Sequence, residues 1–395
     1  MVIILRRRTN FLLATAILSV ATLASCSKAD PKQPVVAFGV ADSSLMRFSW
    51  MEQTSSDSGY SIMNAIPVSG GRFVGLDMRK SAIVIFSGDG TLEGTAGRPG
   101  RGPGDLGAVC CLALAPGDSN AVWVYELANA RYTKFNVSGV RPVYVTSIVA
   151  PPNGGPAGNG VAIDQNHVIR HVRALAPAPS GLVDRLVLKL DTTGREVGRD
   201  TIAAPQGTSI PAHWVQRSSG PGGGTAIGIL QPHGPVQLFA ISGDGTVAQA
   251  VSSAYHIEVI LPNGSKQTIE LPGQFGPSLS ADEATKARES IDAQAKSAGI
   301  TSSEVPFGVP SNKPVLRAIE FDALGRLWVI MTPAARAPVM ADVYLPNGIR
   351  FGRFSWPHGW RLGVRPLSAL EGLAWSRDSS GFEAIHRIRF GPRRP

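Results

Sequence analysis

Hydrophobic and polar positions along this chain fall into short β-rich runs that are separated by tight turns. Five times, a run rich in β-branched or apolar residues leads into a turn containing glycine and then into a second such run. Most of these turns carry Asp-Gly, Asn-Gly or Thr-Gly, and glycine and asparagine accept the positive φ of a tight hairpin turn. The pattern therefore predicts five β-hairpins: 83–94, 132–143, 186–198, 257–271 and 341–354.

The hairpins belong to larger repeating units. A further apolar strand pair precedes the hairpins, as in residues 121–135 and 318–331, so each unit holds about four strands. The turn glycines Gly90, Gly139, Gly194, Gly264 and Gly348 are 49, 55, 70 and 84 residues apart. Four-stranded units repeating at this period are typical of propeller blades, which bury both faces only by stacking around an axis.

The predicted fold class is therefore all-β, a six-bladed β-propeller that occupies residues 35–395 as one domain. Residues 372–390 supply strands for the sixth blade, and we expect residues 35–50 to complete that blade and close the ring. One segment departs from the β pattern. Residues 280–299 predict a short helix, because Ser280 and Glu283 have capping-box spacing and Gly299 ends the pattern. We interpret this helix as an insertion over one face of the ring; a lid or a partner-binding element is the alternative.

The first 25 residues have the pattern of a secretory signal. Three arginines, Arg6 to Arg8, precede the apolar stretch 11–24, which is shorter than the ~20 residues that a membrane-spanning helix needs. The following Leu-Ala-Ser-Cys resembles a bacterial lipobox, and that resemblance implies that Cys26 is acylated and becomes the first residue. Residues 26–34 then form a polar tether. Ser27 after the cysteine favours the outer membrane of a Gram-negative-type cell envelope.

Charge and composition narrow the classes of partner. Removal of residues 1–25 takes away three arginines and lowers the net charge from +9 to +6. A nucleic-acid-binding protein needs a concentrated basic face, and an envelope address argues against such a partner. We therefore expect contact with the membrane through the lipid anchor, and a protein, peptide or glycan as the partner.

Residues 97–107, Gly-Arg-Pro-Gly-Arg-Gly-Pro-Gly-Asp-Leu-Gly, have the composition of a phosphate-binding loop. However, Pro99 and Pro103 lack backbone N–H donors, and a strand-like segment follows in place of a helix N-terminus. We interpret the loop as a connection between blades in which Asp105 pairs with an arginine. Arg98 and Arg101 are candidate ligand contacts.

This loop, the hairpin before it and residues 313–329 resemble a bacterial family of six-bladed propellers related to NHL-repeat and TolB-like propellers, whose members often begin with a lipobox. The loop matches the motif of that family at Gly97, Gly100, Gly102, Pro103, Gly104, Asp105 and Leu106. The resemblance covers residues 35–390 and weakens in blades three and four, where the loops are long. It implies the fold, and no particular activity.

No motif of a hydrolase, a P-loop or a dinucleotide-binding fold occurs, and no catalytic residue is predicted. His167 and His171 read as residues of one strand, which places them about 13 Å apart, too far for one metal ion. Some six-bladed propeller enzymes hold a divalent cation in the channel through oxygen ligands. Five acids are candidate ligands for such a cation: Asp77, Glu126, Asp164, Glu320 and Asp322. A cation-dependent hydrolase or lyase is therefore the alternative function. No cofactor is expected otherwise.

For two further features, the sequence allows two interpretations each. Cys110 and Cys111 are adjacent; neighbouring strand residues point to opposite faces, so two unlinked buried thiols are favoured over a vicinal disulfide. The aromatic segment 353–364 offers Trp356, His358 and Trp360 as candidate ligand contacts at a channel mouth, with filling of the space between blades as the favoured alternative. The expected function is a non-enzymatic binding or scaffold module.

Overall fold

Each predicted four-stranded unit forms one blade of a six-bladed β-propeller, so the predicted fold class is confirmed. The structure is a computed structural model that describes residues 35–37, 45–55, 61–156, 160–176, 178, 180–205, 209–218, 224–363, 370–377 and 383–392. Cys26, the predicted signal segment 1–25 and the tether 26–34 lie outside the described residues. No helix of the described segments is long and apolar enough to cross a membrane.

Two N-terminal strands, β1 (Val35–Ala37) and β2 (Leu45–Ser55), precede the blades. The first blade consists of β3 (Ile62–Pro67), β4 (Phe73–Asp77), β5 (Ala82–Phe86) and β6 (Leu92–Ala96). The second blade consists of β7 (Val109–Ala115), β8 (Asp118–Glu126), β9 (Arg131–Asn136) and β10 (Val143–Val149). The third blade consists of β11 (Gly154–Gly155), β12 (Ile169–Ala174), β13 (Arg185–Leu190) and β14 (Glu196–Ile202). A two-stranded ribbon follows, β15 (Ala212–Ser218) and β16 (Gly224–Leu230).

The fourth blade consists of β17 (Gln237–Ile241), β18 (Val247–Val251), β19 (His256–Ile260) and β20 (Lys266–Glu270). The fifth blade consists of β21 (Leu316–Phe321), β22 (Leu327–Met331), β23 (Val339–Tyr344) and β24 (Arg350–Trp356). The sixth contains β25 (Arg361–Leu362), β26 (Glu371–Arg377) and β27 (Glu383–Pro392). Between the fourth and fifth blades lies the helix α1 (Ala281–Ala298), and short 3-10 turns occupy Ser69–Gly71 and Ser302–Glu304.

The N-terminal segment closes the ring, as predicted. Strand β2 pairs antiparallel with β27, with Phe48 opposite Phe390 and Met51 opposite Ile388, and so becomes the fourth strand of the last blade. Its first residues also run parallel to β24, which joins the fifth and sixth blades into one sheet. Residues 35–37 differ from the prediction, because β1 runs parallel to β20 at the outer edge of the fourth blade.

The core lies in the seams between neighbouring blades. Every residue of β5 is buried, because its blade is covered by a neighbour on both faces. The seam between the fourth and fifth blades contains the largest cluster of buried apolar residues. The seam between the third and fourth blades is thinner, with a buried cluster of five: Ala162, Val172, Val187, Ile241 and Val247. This is also the region where the sequence repeat weakens.

The hairpin turns behave largely as predicted. Four of the five turn glycines have positive φ, at 86° for Gly90, 85° for Gly194, 81° for Gly264 and 80° for Gly348. The predicted helix is confirmed as well. Ser280 accepts a hydrogen bond from the Glu283 N–H at 3.3 Å, and the Glu283 carboxylate accepts from the Ser280 N–H at 3.0 Å.

The favoured interpretation of the cysteine pair was wrong, because Cys110 and Cys111 form a vicinal disulfide. A β-bulge explains the difference. The register of β7 against β8 shifts between Val109, opposite Glu126, and Cys111, opposite Tyr125. Cys110 is therefore the extra residue of the bulge and is released from strict alternation.

Candidate functional site

A large cavity opens on the axis of the propeller, at one end of the central channel. Its volume is about 850 Å³, and residues of five blades surround it. The walls come from the inner strands, including Ile66 of β3, Leu112 of β7, Ala240 of β17 and Ile319 of β21. The rim comes from the turns that join the first and second strands of blades two to five; with their flanking residues we call these segments the A–B turns: 116–119, 164–168, 242–246 and 322–326.

An aspartate recurs in these A–B turns. Asp164 accepts hydrogen bonds through Oδ1 from the N–H groups of Asn166, at 2.8 Å, and Val168, at 3.0 Å. Asp322 does the same for Leu324, at 2.8 Å, and Arg326, at 3.0 Å. A carboxylate that binds backbone N–H groups just ahead of it fixes the turn, which explains why aspartate is favoured there. The recurrence brings several carboxylates to the same end of the channel.

Two of these carboxylates are neutralised by an arginine of their own blade. The second oxygen of Asp322 accepts from Arg326 Nε at 2.7 Å and from Trp328 Nε1 at 2.8 Å. The second oxygen of Asp164 lies 3.4 Å from Nη2 of Arg170, which is itself buried. Both aspartates therefore stabilise their turns and contribute little net charge to the cavity.

Asp118 and Asp244 are the exposed acids of the rim. Asp118 accepts from the Asn120 N–H at 2.9 Å, and Asp244 accepts from the Thr246 N–H at 2.9 Å. Partial burial raises the pKa of Asp244, but hydrogen bonds from Ser242 and Thr246 and the charge of Arg170 together leave that pKa below its ordinary value. Asp244 is thus ionised at neutral pH. None of the described residues that line the cavity is a lysine, arginine or histidine, so the lining is negatively charged.

Of the five predicted channel acids, three line the cavity: Asp164, Glu320 and Asp322. The other two end the second strands of their blades and do not line it. Asp77 is buried, and its Oδ1 accepts from the N–H groups of Arg79, at 2.9 Å, and Lys80, at 3.1 Å. Among the described residues, no group of three or more His, Cys, Asp or Glu side chains is arranged to hold a metal ion.

Glu126 holds the glycine-rich loop 97–107. Its fully buried carboxylate accepts hydrogen bonds from the Gly107 N–H at 3.0 Å, from Asn129 Nδ2 at 2.6 Å and from Arg131 Nε at 2.7 Å. Arg131 donates in turn to the loop carbonyls of Arg101, at 2.9 Å, and Asp105, at 2.8 Å. The loop thus joins β6 to β7 and is a connection between blades, as its sequence predicted.

The two loop arginines lie away from the cavity. Arg98 Nε donates to Asp105 at 2.7 Å, the predicted local pair, and the Arg98 side chain is 83% exposed. Arg101 is also exposed. The loop precedes β7, whereas the cavity begins farther along that strand and includes the turn after it. These arginines therefore face solvent at the other end of the second blade.

The aromatic candidates lie in and beside the seam between the fifth and sixth blades. Trp356 is 4% exposed and donates from Nε1 to the Trp360 carbonyl at 3.2 Å. Trp360 stacks on His386, with ring centroids 4.3 Å apart. His358 is exposed in the turn after β24. The structure brings these aromatic groups together, and none of them lines the channel cavity.

Sequence reasoning missed most of the cavity rim, including Asp118, Ser119, Gln165 and Asn166. Asp244 was likewise not among the predicted channel acids. The signal that could have located the rim is the recurrence of aspartate in successive A–B turns. In the sequence, these aspartates look the same as the aspartates of the outer hairpin turns, because only the folded blade shows which strands are inner and which are outer.

No protein-family model matches the sequence, and comparison with curated proteins finds no match. Solved structures with distant likeness include a protein from Bacteroides fragilis, at 10% identity and a TM-score of 0.49, covering 91% of this chain and 100% of that one. A member of the DUF4221 family from Bacteroides vulgatus has 9% identity and a TM-score of 0.46, covering 89% and 98%. Virginiamycin B lyase from Staphylococcus aureus has 14% identity and a TM-score of 0.40, covering 86% and 99%.

Proposed function

We propose that the protein is a binding module whose channel cavity takes a segment of a protein or peptide partner that carries basic side chains. The observation that supports this most directly is the cavity itself. At about 850 Å³ it lies within the size range of ligand sites, and it combines apolar walls with a polar rim from several blades. A ring of stacked blades holds such a rim rigidly, so the partner meets a preformed surface.

The charge of the cavity supports a basic ligand. Five acids line it: Asp118, Asp164, Asp244, Glu320 and Asp322. Asp164 and Asp322 are paired with arginines, so the charge of the rim comes chiefly from the exposed Asp118 and Asp244. No lysine, arginine or histidine lines the cavity among the described residues. This contrasts with the net positive charge of the whole chain, +9. Charge complementarity of this kind chiefly determines which ligand is selected and how fast it associates.

A peptide is favoured over a glycan, because Phe321 is the one aromatic residue among the described residues that line the cavity. Carbohydrate sites stack sugar rings on aromatic faces, and the aromatic group around Trp360 lies elsewhere. The carboxylates of Asp164 and Asp322 are held by turn hydrogen bonds and arginines. Carboxylates held in this way favour a binding function over general acid–base catalysis or metal coordination. The cation-dependent hydrolase or lyase stays the alternative prediction.

We further propose that the module is anchored by acylated Cys26 in the outer membrane of a Gram-negative-type cell envelope, as a lipoprotein of the propeller family it resembles. The lipobox resemblance supports this address. Changing Cys26 to Ala should abolish acylation and release the protein from the membrane fraction. Detergent partitioning and mass measurement would check this, and a Cys26→Ala protein that still partitions with membranes would refute it.

A calorimetric comparison of three probes tests the ligand class. We expect an alternating Lys-Ala octapeptide to bind with an affinity that falls as salt rises, because rim charges are screened. A Glu-Ala octapeptide and chitohexaose should bind at least tenfold more weakly. Equal or tighter binding of either probe would overturn the basic-peptide proposal. Stoichiometric divalent metal in the purified protein, together with hydrolysis of a lactone or ester panel, would overturn the non-enzymatic function.

A further inference from the structure

A second cavity, which we call the seam cavity, lies in the thin seam between the third and fourth blades. Its volume is about 420 Å³, which is within the size range of small-ligand sites. Its apolar walls come from both blades, with Val187 and Ile202 on the third and Ile260 on the fourth. It shares Ile241 and Asp244 with the channel cavity. The thin seam therefore contains a preformed space with apolar walls.

Most of the charged side chains that line the seam cavity are already paired. On the third blade, Lys189 Nζ lies 2.9 Å from the carboxylate of Asp200. At the end nearest the channel, Arg170 lies 3.4 Å from the carboxylate of Asp164, and its charge also stabilises the carboxylate of Asp244. These charges neutralise one another and leave little for a ligand to bind.

Two opposite charges of the fourth blade are not used in this way. The carboxylate of Glu258, on β19, accepts a hydrogen bond from Nε2 of the buried Gln249 at 3.0 Å. The same amide nitrogen donates to the Ala203 carbonyl of the third blade at 3.0 Å, which fixes the carboxylate within the seam. Neither the Glu258 carboxylate nor the exposed ammonium of Lys266, on β20, has an ion-pair partner among the described residues.

The strand register gives the spacing of these two groups. Lys266 lies directly opposite Ile260, which packs against the buried cluster of this seam. Glu258 is two residues from Ile260 and so points to the same face of the sheet. Glu258 and Lys266 therefore occupy diagonal positions on the face that lines the seam cavity, with their Cβ atoms roughly 7–8 Å apart. Two extended residues of a peptide span roughly 7 Å, whereas a single amino acid spans about half of that.

We propose that the seam cavity binds a zwitterionic dipeptide with aliphatic side chains. Its ammonium group donates to Glu258, its carboxylate accepts from Lys266, and its side chains contact Val187, Ile202 and Ile260. Hydrogen bonds between ionised groups are stronger than neutral ones, so both ends of the ligand contribute to its selection. The site is separate from the acidic rim of the channel cavity and does not depend on the function proposed for that cavity.

Calorimetry of the full chain with three probes tests this proposal: Leu-Leu, N-acetyl-Leu-Leu and Leu-Leu amide. We expect Leu-Leu to bind with 1:1 stoichiometry. The acetylated probe lacks the ammonium and the amide probe lacks the carboxylate, so each should bind at least tenfold more weakly.

Two variants connect each end of the dipeptide to its residue. Glu258→Gln should weaken Leu-Leu at least tenfold and leave the affinity of N-acetyl-Leu-Leu unchanged, because that probe has no ammonium to lose. Lys266→Gln should likewise weaken Leu-Leu and leave Leu-Leu amide unchanged. Glu196→Gln, an exposed change on β14 outside the cavity lining, is the matched control and should bind Leu-Leu as the wild type does. Thermal unfolding checks that each variant is folded.

The proposal is overturned if Leu-Leu does not bind the wild type, or if the three probes bind with equal affinity. It is also overturned if folded Glu258→Gln and Lys266→Gln proteins keep the wild-type affinity for Leu-Leu. Asp118→Asn alters the channel rim and not the seam cavity, so it should leave Leu-Leu binding unchanged. Weaker binding in that variant would place the dipeptide in the channel cavity instead.

Discussion

At the scale of single residues, His171 shows how the packing of two blades alters acid–base chemistry. Its side chain is fully buried, and its Nδ1 lies 3.0 Å from the hydroxyl of Tyr132 in the seam between the second and third blades. Burial disfavours the imidazolium, and the positive charge of Arg173 adds to this effect. Together they lower the pKa of His171 from 6.5 to about 4.

The consequence is a loss of stability in mild acid. Above pH 6.5 the imidazole is neutral in both the folded and the unfolded chain and adds no pH dependence. Between pH 6.5 and about 4 the unfolded chain takes up a proton that the folded protein does not, so the unfolding free energy falls by up to ~3 kcal/mol. Urea titrations from pH 7 to 4 should show a smaller decrease for His171→Gln, whereas His358→Gln, at an exposed turn, should follow the wild type. Identical pH profiles for wild type and His171→Gln would contradict this account.

Single residues also show what the sequence could and could not predict. The pair between Arg98 and Asp105 was predictable, because both residues belong to one short loop. The vicinal disulfide was not, because the bulge that allows it depends on how β7 pairs with β8. The burial of Glu126 and its pairing with Arg131 could not be predicted either. Both residues flank the turn between β8 and β9, and only the folded blade brings that turn against the loop 97–107.

At the scale of elements, the helix α1 depends on its caps because its own buried face is small. The buried residues are Ala287, Ile291, Ala295 and Ala298, and the last three pack in one cluster with Ile229 of the ribbon. Gly299 ends the helix with φ of 71°, and its N–H donates to two carbonyls of the last turn. A side chain at this left-handed position is strained.

Removal of either cap should therefore destabilise the helix locally. We expect Ser280→Ala and Gly299→Ala each to cost about 1 kcal/mol. Hydrogen exchange across residues 281–298 should accelerate about fivefold in each variant, whereas Ser297→Ala, an exposed position within the helix, should leave exchange unchanged. Protection equal to the wild type in both cap variants would show that packing alone holds the helix.

Elements with strong local signals were predictable, and elements that depend on distant partners were not. Residues 280–299 and the hairpin turns carry their own caps and turn residues, so both appeared in the sequence. The ribbon of β15 and β16 was missed, because its two strands are separated by a run of glycines and it packs against α1, more than fifty residues away. For the same reason the β pattern was weakest in the third and fourth blades.

At the scale of the whole molecule, the ring is closed by β2, which is inserted between β27 and β24. A proline at Met51 falls within the β2–β27 ladder, opposite Ile388, where its fixed φ and missing N–H disfavour a paired strand, and we expect it to cost about 3 kcal/mol and to broaden the unfolding transition. Val36→Pro is the matched control, because β1 is a short strand at a sheet edge. Thermal unfolding of both variants measures the difference. Equal melting temperatures would mean that the ring does not depend on this closure.

Closure of the ring was predictable from the two chain ends, but the cavity was not. Its lining comes from inner strands and A–B turns of five blades, and only the completed ring brings Asp118, Asp164 and Asp244 around one axis. The sequence places these aspartates in separate turns with local hydrogen bonds. Their common position is a property of the propeller and not of any segment.

The most direct test of the proposed function is the affinity of the Lys-Ala octapeptide for the wild type and for a variant with Asp118→Asn and Asp244→Asn. Asparagine keeps the turn hydrogen bonds and removes the two exposed charges of the rim. Each charge contributes roughly 0.5–1 kcal/mol at an exposed site, so affinity should fall about tenfold. Asp191→Asn, in an outer hairpin turn of the same chemistry, should bind as the wild type does. Unchanged affinity in the double variant would contradict a ligand site in the channel cavity.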